Sequence, residues 1–425
     1  MADIGGRVPG GNAADSTEIF QEGVRIPPTK LYAKGKSNES VLALILANVR
    51  QPDVLLADLH AEIAACNTAD IEFADIAKKM GSAELCGYMK ELIDYGERMG
   101  RDALKELKPG CYTFVDYLDD DGVGGPPVKI QVRVDVRDDG IDVNFDGTSP
   151  QVRSAINAPL AITRSSVAFV VKSIIGREIP NNSGFLRLLH VTAPEGSVVN
   201  MAFPAACAAR AVTAYRVTDA LLGAFAPLRP DRVPAAGDGG PAVISCGGED
   251  ADGNTFVFME LISGAFGGRP GLDGLEGVAS PIVNAQNTSC ELIEATYPLR
   301  IEHYGFVPNT GGLGQYRGGL AVRRDVRFIG KRAVLQIRSD RARIKPWGLN
   351  GGGDGTNSRN TLYSQDGESQ DLPSKIVMEI PSGSMWRHTT ASGGGWGQST
   401  DRTSEATMRD LREGKTHDGE VEVVL

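Results

Sequence analysis

Hydrophobic and polar residues alternate most regularly between residues 128 and 145. Valine and isoleucine occupy every second position of 128–136, and the alternation resumes over 141–145 after a polar turn at 137–140. A period of two places one set of side chains on a single face of a strand. The pattern therefore predicts a β-hairpin with one buried face, preceded by a strand over 112–118.

Helical periodicity surrounds this hairpin. Pro52 is suited to begin a helix, and Leu55, Leu59 and Ile63 then recur every four residues along one face. Buried helices are predicted over 160–175 and 207–225. A further helix is predicted over 84–107, with an apolar stripe formed by Leu85, Met89, Leu92 and Met99.

The last part of the chain reads as short strands separated by glycine turns, in a sequence with 52 glycines. The predicted strands are 242–245, 255–262, 321–329, 334–338 and 376–380, followed by a short helix over 408–413. These elements predict an α+β fold, with helices and antiparallel strands first and a mainly β part afterwards. Three regions are expected: a loop and helical region over 1–110, an α+β region over 111–231 and a glycine-rich β region over 232–425.

Composition narrows the class of protein. The chain has 425 residues and a net charge of −10, which argues against a nucleic-acid-binding surface. No apolar run approaches the roughly 20 residues of a membrane helix. The N-terminus lacks the pattern of a signal peptide, so a cytoplasmic protein is expected. The six cysteines form no C-x-x-C pair, which disfavours zinc-ribbon and redox motifs.

The familiar catalytic motifs are absent from the sequence. A dinucleotide fingerprint and a nucleophile elbow are missing, and Gly414-Lys415-Thr416 lacks the first glycine of a P-loop because residue 409 is arginine. The five histidines show no metal-ligand spacing. His303 and His388 lie beside glycine-rich loops, and they are the histidines we take as catalytic candidates, with a structural role as the alternative for each.

Eleven short segments occur in an order and spacing that resembles the hydantoinase B/oxoprolinase family. They are A-D-I-G-G at 2–6, E-G-V-R-I-P-P at 22–28, F-D-G-T-S at 145–149, N-N-S-G at 181–184, P-E-G-S at 194–197, Q-N-T at 286–288, E-A-T-Y-P-L at 294–299, Y-R-G-G at 316–319, S-D-R at 339–341, P-W-G at 346–348 and G-G-G-W-G at 393–397. Together they cover essentially the whole chain.

The resemblance implies a function that the residues alone do not. Such B-type subunits work with an A-type ATPase subunit, which uses ATP to activate an amide oxygen, and the B side helps to hydrolyse a small cyclic amide such as a hydantoin or 5-oxoproline. We therefore expect a hetero-oligomer in which the partner, not this chain, uses ATP. Related acetone and acetophenone carboxylases use the same scaffold for carboxylation, and some members hold a divalent metal.

The resemblance also points to one metal ligand, Asp3. Family members carry an earlier segment with Gly-Gly-Thr-His and a histidine directly before Ala-Asp, where this sequence has Met1. Of the expected metal cluster only Asp3 is therefore carried over. A misplaced start, a degraded gene or a partner that supplies the missing ligands would each explain this difference.

Four other residues complete the predicted site. Asp15 and Glu22 flank the A-D-I-G-G segment, where a carboxylate can activate water or contact a metal; solvated surface acids are the alternative. Arg317 and Arg341, in glycine-rich loops, are predicted to bind an anionic intermediate, or else to form structural ion pairs. Two alternative functions stay open: a truncated, non-catalytic partner-binding subunit and a subunit of an ATP-dependent ketone carboxylase.

Overall fold

A computed structural model gives the fold and describes residues 3–11, 13–278 and 281–417. Its helices, in chain order, are α1 (Glu39–Leu46), α2 (Pro52–Met80), α3 (Ser82–Leu104), α4 (Leu160–Ile175), α5 (Ser183–Leu186), α6 (Arg210–Phe225), α7 (Cys290–Thr296) and α8 (Ser404–Arg412). Two 3₁₀ turns lie at Ile19–Gln21 and Ser399–Asp401. In the part of the chain described, no helix combines the length and the apolar character needed to cross a membrane.

The strands are mostly short and antiparallel. They are β1 (Tyr32–Ala33), β2 (Lys36–Ser37), β3 (Gly110–Leu118), β4 (Val128–Val136), β5 (Ile141–Asn144), β6 (Leu189–Thr192), β7 (Ala242–Glu249), β8 (Thr255–Ile262), β9 (Leu299–Val307), β10 (Ala321–Phe328), β11 (Arg332–Arg338), β12 (Arg359–Tyr363), β13 (Ser369–Leu372), β14 (Lys375–Pro381) and β15 (Met385–Thr389). The α+β class predicted from the sequence is confirmed.

The predicted hairpin forms the centre of a four-stranded sheet with the order β3-β4-β5-β6. Strands β4 and β5 are antiparallel, with Val134 opposite Val143. Strand β6 differs from the antiparallel expectation, because the chain returns through α4 and α5 and enters the sheet parallel to β5. Helices α4 and α6 cover this sheet and form the first hydrophobic core with the alternating residues of β4.

Two further sheets lie in the second half of the chain, with the orders β14-β11-β7-β8 and β13-β12-β15-β10-β9. Apolar residues from both sheets share a second core, which includes Ile244, Phe258, Val326, Leu335 and Trp386. These two sheets contain all five strands that the glycine-punctuated pattern predicts, together with β9, β12, β13 and β15, which it did not predict.

The predicted stripes on α2 and α3 face the core only in part. Both helices form, and Pro52 occupies the first turn of α2 as predicted. Leu55 is nevertheless the buried residue of α2, while Met89 and Leu92 of α3 are 48% and 53% exposed. The apolar stripes are therefore only partly buried, because large parts of both helices extend away from the body of the protein.

Candidate functional site

Residues 3–11 and 13–24 belong to a loop segment that lies against the sheet containing β7 and β11. The carbonyl of Pro9 accepts a hydrogen bond of 2.7 Å from Nε2 of Gln336 on β11. A Cβ atom on Gly247 of β7 would lie 2.4 Å from Cβ of Pro9, so the loop approaches the sheet only because this residue is glycine.

Asp3 is buried at the start of this loop, where both of its carboxylate oxygens are engaged. Its Oδ2 accepts hydrogen bonds from the amides of Gly5 and Arg50, at 3.3 and 2.7 Å. Its Oδ1 accepts from the amide of Gly10 and from Nη1 of Arg50, each at 3.0 Å. The second guanidinium nitrogen of Arg50 donates to the carbonyl of Gly6 at 2.9 Å. Asp3 and Arg50 therefore act together to shape the loop.

The surroundings of Asp3 do not by themselves fit a divalent metal. Such ions take several oxygen or nitrogen ligands, and the oxygens of Asp3 already accept four hydrogen bonds. Within residues 3–11, 13–278 and 281–417, no three His, Cys, Asp or Glu side chains are grouped as metal ligands. Metal binding by Asp3 stays a prediction.

Glu22 is buried at the other end of the loop, beside the start of α6. Its Oε1 accepts hydrogen bonds from the amides of Cys207 and Ala208, at 2.8 and 2.7 Å. Burial raises the pKa of Glu22 above its usual value, and these amides oppose the rise. The contacts give Glu22 a positioning role that the sequence did not indicate, and a catalytic role stays a prediction.

Asp15 lies on the surface of the same loop. Its Oδ1 accepts a hydrogen bond from Nη2 of Arg7, and both side chains are well exposed. An exposed ion pair of this kind adds little to stability. The loop thus brings Asp3, Asp15 and Glu22 into one segment, although each is bonded to a different partner.

A cavity of about 560 Å³ opens beside the loop, a volume in the range of small-molecule sites. Its lining includes Pro9 and Arg50 from the N-terminal segments and Lys331 from the turn before β11. Arg50 keeps a side chain that is 30% exposed while it binds Asp3. The guanidinium of Arg50 therefore connects the buried carboxylate to the cavity, which makes this the candidate site.

The two candidate histidines do not join this loop. His303 pairs with Asp325 across β9 and β10, whereas His388 pairs with the adjacent Arg324 across β15 and β10. Since successive strand residues point to opposite faces, the two histidines lie on opposite faces of one sheet. His303 is exposed, and His388 is buried with its Nδ1 2.7 Å from Oδ1 of Asn360. Burial lowers the pKa of His388 to about 4, so it is neutral at neutral pH.

Arg341 lies in a buried ionic cluster rather than on a cavity surface. Its Nη2 contacts carboxylate oxygens of Asp116 at 3.1 Å and of Asp219 at 2.8 Å. Arg216 of α6 contacts Asp219 at 3.1 Å and Asp340 at 2.6 Å. The members of the cluster are Asp116, Arg216, Asp219, Asp340, Arg341 and Lys375. These contacts match the structural alternative for Arg341, and substrate binding stays a prediction.

The cluster holds more acidic groups than cations. The carboxyls of Asp119, Asp120 and Asp238 border it, so six carboxyls share three cations. Ionising every carboxyl would leave an uncompensated buried charge, which is costly. Burial accordingly raises the pKa of Asp219 to about 8 and that of Asp238 to about 7. Some of these carboxyls therefore keep a proton near neutral pH.

Arg317 is likewise surrounded by carboxylates. Its Nη2 donates to Glu276 at 2.8 Å, and its backbone amide donates to Asp273 at 2.7 Å. Arg402 also contacts Asp273 at 2.7 Å, and Asp410 lies 3.4 Å from Nε of Arg317. The guanidinium of Arg317 is buried in this network, and a role in substrate binding stays a prediction.

Several residues with structural roles were not identified from the sequence. Arg50 follows α1 without any motif around it, so nothing in the sequence marks it as the partner of Asp3. The acidic run at 119–121 has the composition of a solvated turn, yet Asp119 and Asp120 are buried. Arg216 and Asp219, three residues apart inside the largely apolar α6, were the available sequence signal for a buried ion pair.

Comparison with known proteins places these features in a family. The model of the Hydantoinase B/oxoprolinase family matches residues 1–399. The B-type subunit of a putative D-/L-hydantoinase from Pseudomonas sp. (strain NS671) is 33% identical over 97% of this chain and 72% of its own length.

Two solved structures share the fold. The ATP-dependent caprolactamase from Pseudomonas jessenii superimposes with a TM-score of 0.90 at 26% identity, covering 98% of this chain and 73% of the other. The nucleotide-free acetone carboxylase also gives a TM-score of 0.90, covering 98% of this chain and 62% of the other; its 17% identity supports a common fold alone. With its family model matched across most of its length, this chain belongs to the hydantoinase B/oxoprolinase family.

Proposed function

We propose that this chain is the B-type subunit of an ATP-dependent hydrolase of cyclic amides and works with an A-type ATPase subunit. The observation that carries the proposal is its 33% identity, along nearly the whole chain, with the B-type subunit of a putative hydantoinase. The fold that it shares with an ATP-dependent caprolactamase supports the same class of reaction.

The chemistry explains why two subunits are needed. Resonance makes the carbonyl carbon of a lactam a weak electrophile, and transfer of a phosphoryl group to the amide oxygen weakens that resonance. Water then adds to the carbonyl carbon, the ring C–N bond breaks as the nitrogen takes a proton, and a second water hydrolyses the resulting acyl phosphate to a carboxylate and phosphate. Because this sequence has no P-loop, we assign the ATP-dependent step to the partner.

We assign to Arg50 the stabilisation of the negative charge that develops during the reaction. Arg50 lines the cavity, and its guanidinium is held in place by the buried carboxylate of Asp3. A positioned arginine stabilises negative charge on a phosphoryl group or on a tetrahedral oxygen. Asp3 and Glu22 then serve as positioning residues: Asp3 holds Arg50 and shapes the loop, and Glu22 holds the loop against the start of α6.

The test is to purify this chain with the A-type subunit of the same organism and to measure ADP release with hydantoin, 5-oxoproline and caprolactam. We expect ATP hydrolysis that depends on one of these amides and on both chains, together with a ring-opened product. Turnover that consumes bicarbonate and a ketone would assign the pair to the carboxylases. A stable pair without turnover of any of these substrates would make this chain a non-catalytic binding subunit.

A further inference from the structure

The outer parts of α2 and α3 make almost no contact with the rest of the described chain. Between residues 61 and 92 no residue is buried, and only Ile63, Ala77 and Leu85 are partly buried. Gly81 alone joins the two helices. At 1.5 Å per residue, α2 is about 43 Å long. A helix that long needs a packed apolar face for stability, and here that face is uncovered.

The uncovered face of α2 follows a heptad pattern. Seven residues spaced alternately by four and three positions form what we call the α2 strip: Leu59, Ile63, Cys66, Asp70, Phe73, Ala77 and Met80. Alternating steps of three and four place them on one seam, as in helices that pack against another helix. Phe73 is 51% exposed and Met80 is 38% exposed. Leu59, Ile63 and Ala77 are partly buried, so the strip has the spacing of a helix interface that the described residues cover only in part.

Helix α3 carries a similar seam. Leu85, Tyr88, Leu92 and Tyr95 recur at steps of three, four and three, and we call them the α3 strip. Its members Tyr88, Leu92 and Tyr95 are about half exposed. Tyrosine is enriched where proteins bind one another, because its ring is apolar and its hydroxyl tolerates water.

The charges on α2 indicate the chemistry of the partner. The helix contains six acidic residues and two lysines, a formal charge of −4, and Asp70 lies within the strip itself. Parallel pairing with a second copy would place Asp70 opposite Asp70. Antiparallel pairing centred on Cys66, the middle of the helix, would place Asp70 opposite Glu62. Both arrangements bring like charges together, which disfavours self-association.

We infer that the α2 strip and the α3 strip form the docking surface for the A-type ATPase subunit, an inference that rests on the proposed function. The partner contributes apolar side chains flanked by lysine or arginine, with one cation opposite Asp70. This arrangement covers Phe73 and Met80 and pairs the one charged residue of the seam. It also explains why α2 and the outer part of α3 extend from the body of the protein, although the base of α3, at Ala103 and Leu104, belongs to the first core.

The test measures binding of this chain to the A-type subunit with Phe73→Asp, Asp70→Lys and Asp75→Lys variants. Asp75 is the matched control, because it lies on the opposite side of α2 and forms an ion pair with Lys79 of its own helix. We expect Phe73→Asp and Asp70→Lys each to raise the Kd at least tenfold, and Asp75→Lys to leave it within twofold. Thermal unfolding of the isolated chain should be unchanged, since both side chains are exposed there.

The outcomes separate this inference from the proposed function. Wild-type affinity in Phe73→Asp and Asp70→Lys would overturn the docking surface, even if the pair hydrolyses a cyclic amide. Loss of binding in both variants would support the surface, even if the wild-type pair shows no amide-dependent turnover. A wild-type chain that fails to bind the A-type subunit, or that forms a homodimer dissociated by Phe73→Asp, would overturn the inference.

Discussion

At the scale of single residues, buried charges join segments that are far apart in the chain. Arg341, in the loop after β11, contacts Asp116 of β3 and Asp219 of α6. Arg341 also has a positive φ of 65°, a strained backbone conformation for a residue other than glycine. Desolvating such charges is costly unless each finds a partner, so the cluster requires one arrangement of these elements.

Asp219 makes the stability of the protein depend on pH. Its folded pKa of about 8 lies above the usual value of 3.8, so the folded state binds more protons than the unfolded state between these values. Stability is therefore highest at the acidic end of this range and falls as pH rises towards 8, by up to roughly 1.4 kcal/mol per pH unit for one proton. Asp219→Asn resembles the protonated carboxyl and should flatten this decline.

Thermal unfolding between pH 5.5 and 8.5 measures the effect. Asp231→Asn serves as the control, because Arg229 lowers the pKa of exposed Asp231 to about 2, outside this range. An Asp219→Asn variant that keeps the wild-type slope would show that Asp219 does not bind the additional proton.

Arg50 allows a residue-scale test of the candidate site. Arg50→Gln removes the positive charge beside the cavity, and we expect kcat of the assembled pair to fall roughly 100-fold, as for other lost electrostatic contacts. Arg332→Gln is the control, because Arg332 lines the same cavity but is exposed and paired with Glu249. Equal losses in the two variants would argue against a specific role for Arg50. Steady-state kinetics of amide-dependent ATP hydrolysis measures kcat for both variants.

At the scale of elements, glycines set how closely α3 approaches α5. A Cβ atom on Gly184 of α5 would lie 1.8 Å from the carbonyl oxygen of Ile93 in α3. On α3, a Cβ atom on Gly100 would lie 2.5 Å from Cδ1 of Leu188. The base of α3 is anchored by this close contact, whereas its outer part, around Gly87, meets open space.

Two alanine substitutions should therefore have opposite effects. Gly184→Ala forces α5 away from α3 and should lower the free energy of unfolding by about 1–3 kcal/mol. Gly87→Ala adds a methyl group in open space within a helix and should raise the stability of α3 by about 0.5–1 kcal/mol. Denaturant titration followed by helical circular dichroism measures both. A stabilising Gly184→Ala would show that the α3–α5 contact is looser than described.

At the scale of the whole molecule, acidic charge is concentrated on the helix that we assign to the partner. Helix α2 carries −4 of the total net charge of −10 in 29 of 425 residues. Such a concentration attracts a basic surface over a distance of about a Debye length, near 10 Å at 0.1 M salt. Charge of this kind affects the rate of encounter and the choice of partner more than the final affinity.

Salt should consequently slow assembly of the pair. Raising NaCl from 50 to 500 mM screens the charges of α2, so we expect the association rate constant to fall about tenfold or more and the dissociation rate to change little. Surface plasmon resonance at several salt concentrations measures both rates. An association rate that is independent of salt would indicate that α2 meets a neutral surface.

The hairpin and the helices were predictable because their signals are local. The alternation over 128–145 specifies one buried face, and helix α4 has the predicted bounds of 160–175. The predicted helix over 207–225 begins three residues late, at Arg210, because residues 207 and 208 donate their amides to Glu22. That correction depends on a contact 185 residues away in the sequence, which no local pattern contains.

The sequence by itself determined the periodicity of the main elements, the α+β class and the family, since each is a property of the order of residues. Only the tertiary structure decided which charges are buried, that Arg50 binds Asp3, and that the two candidate histidines face opposite sides of a sheet. It also decided that the described part of the chain leaves the apolar seams of α2 and α3 largely exposed. Periodicity identifies an apolar face but not what covers it, because burial is a property of the residues that surround a side chain in space.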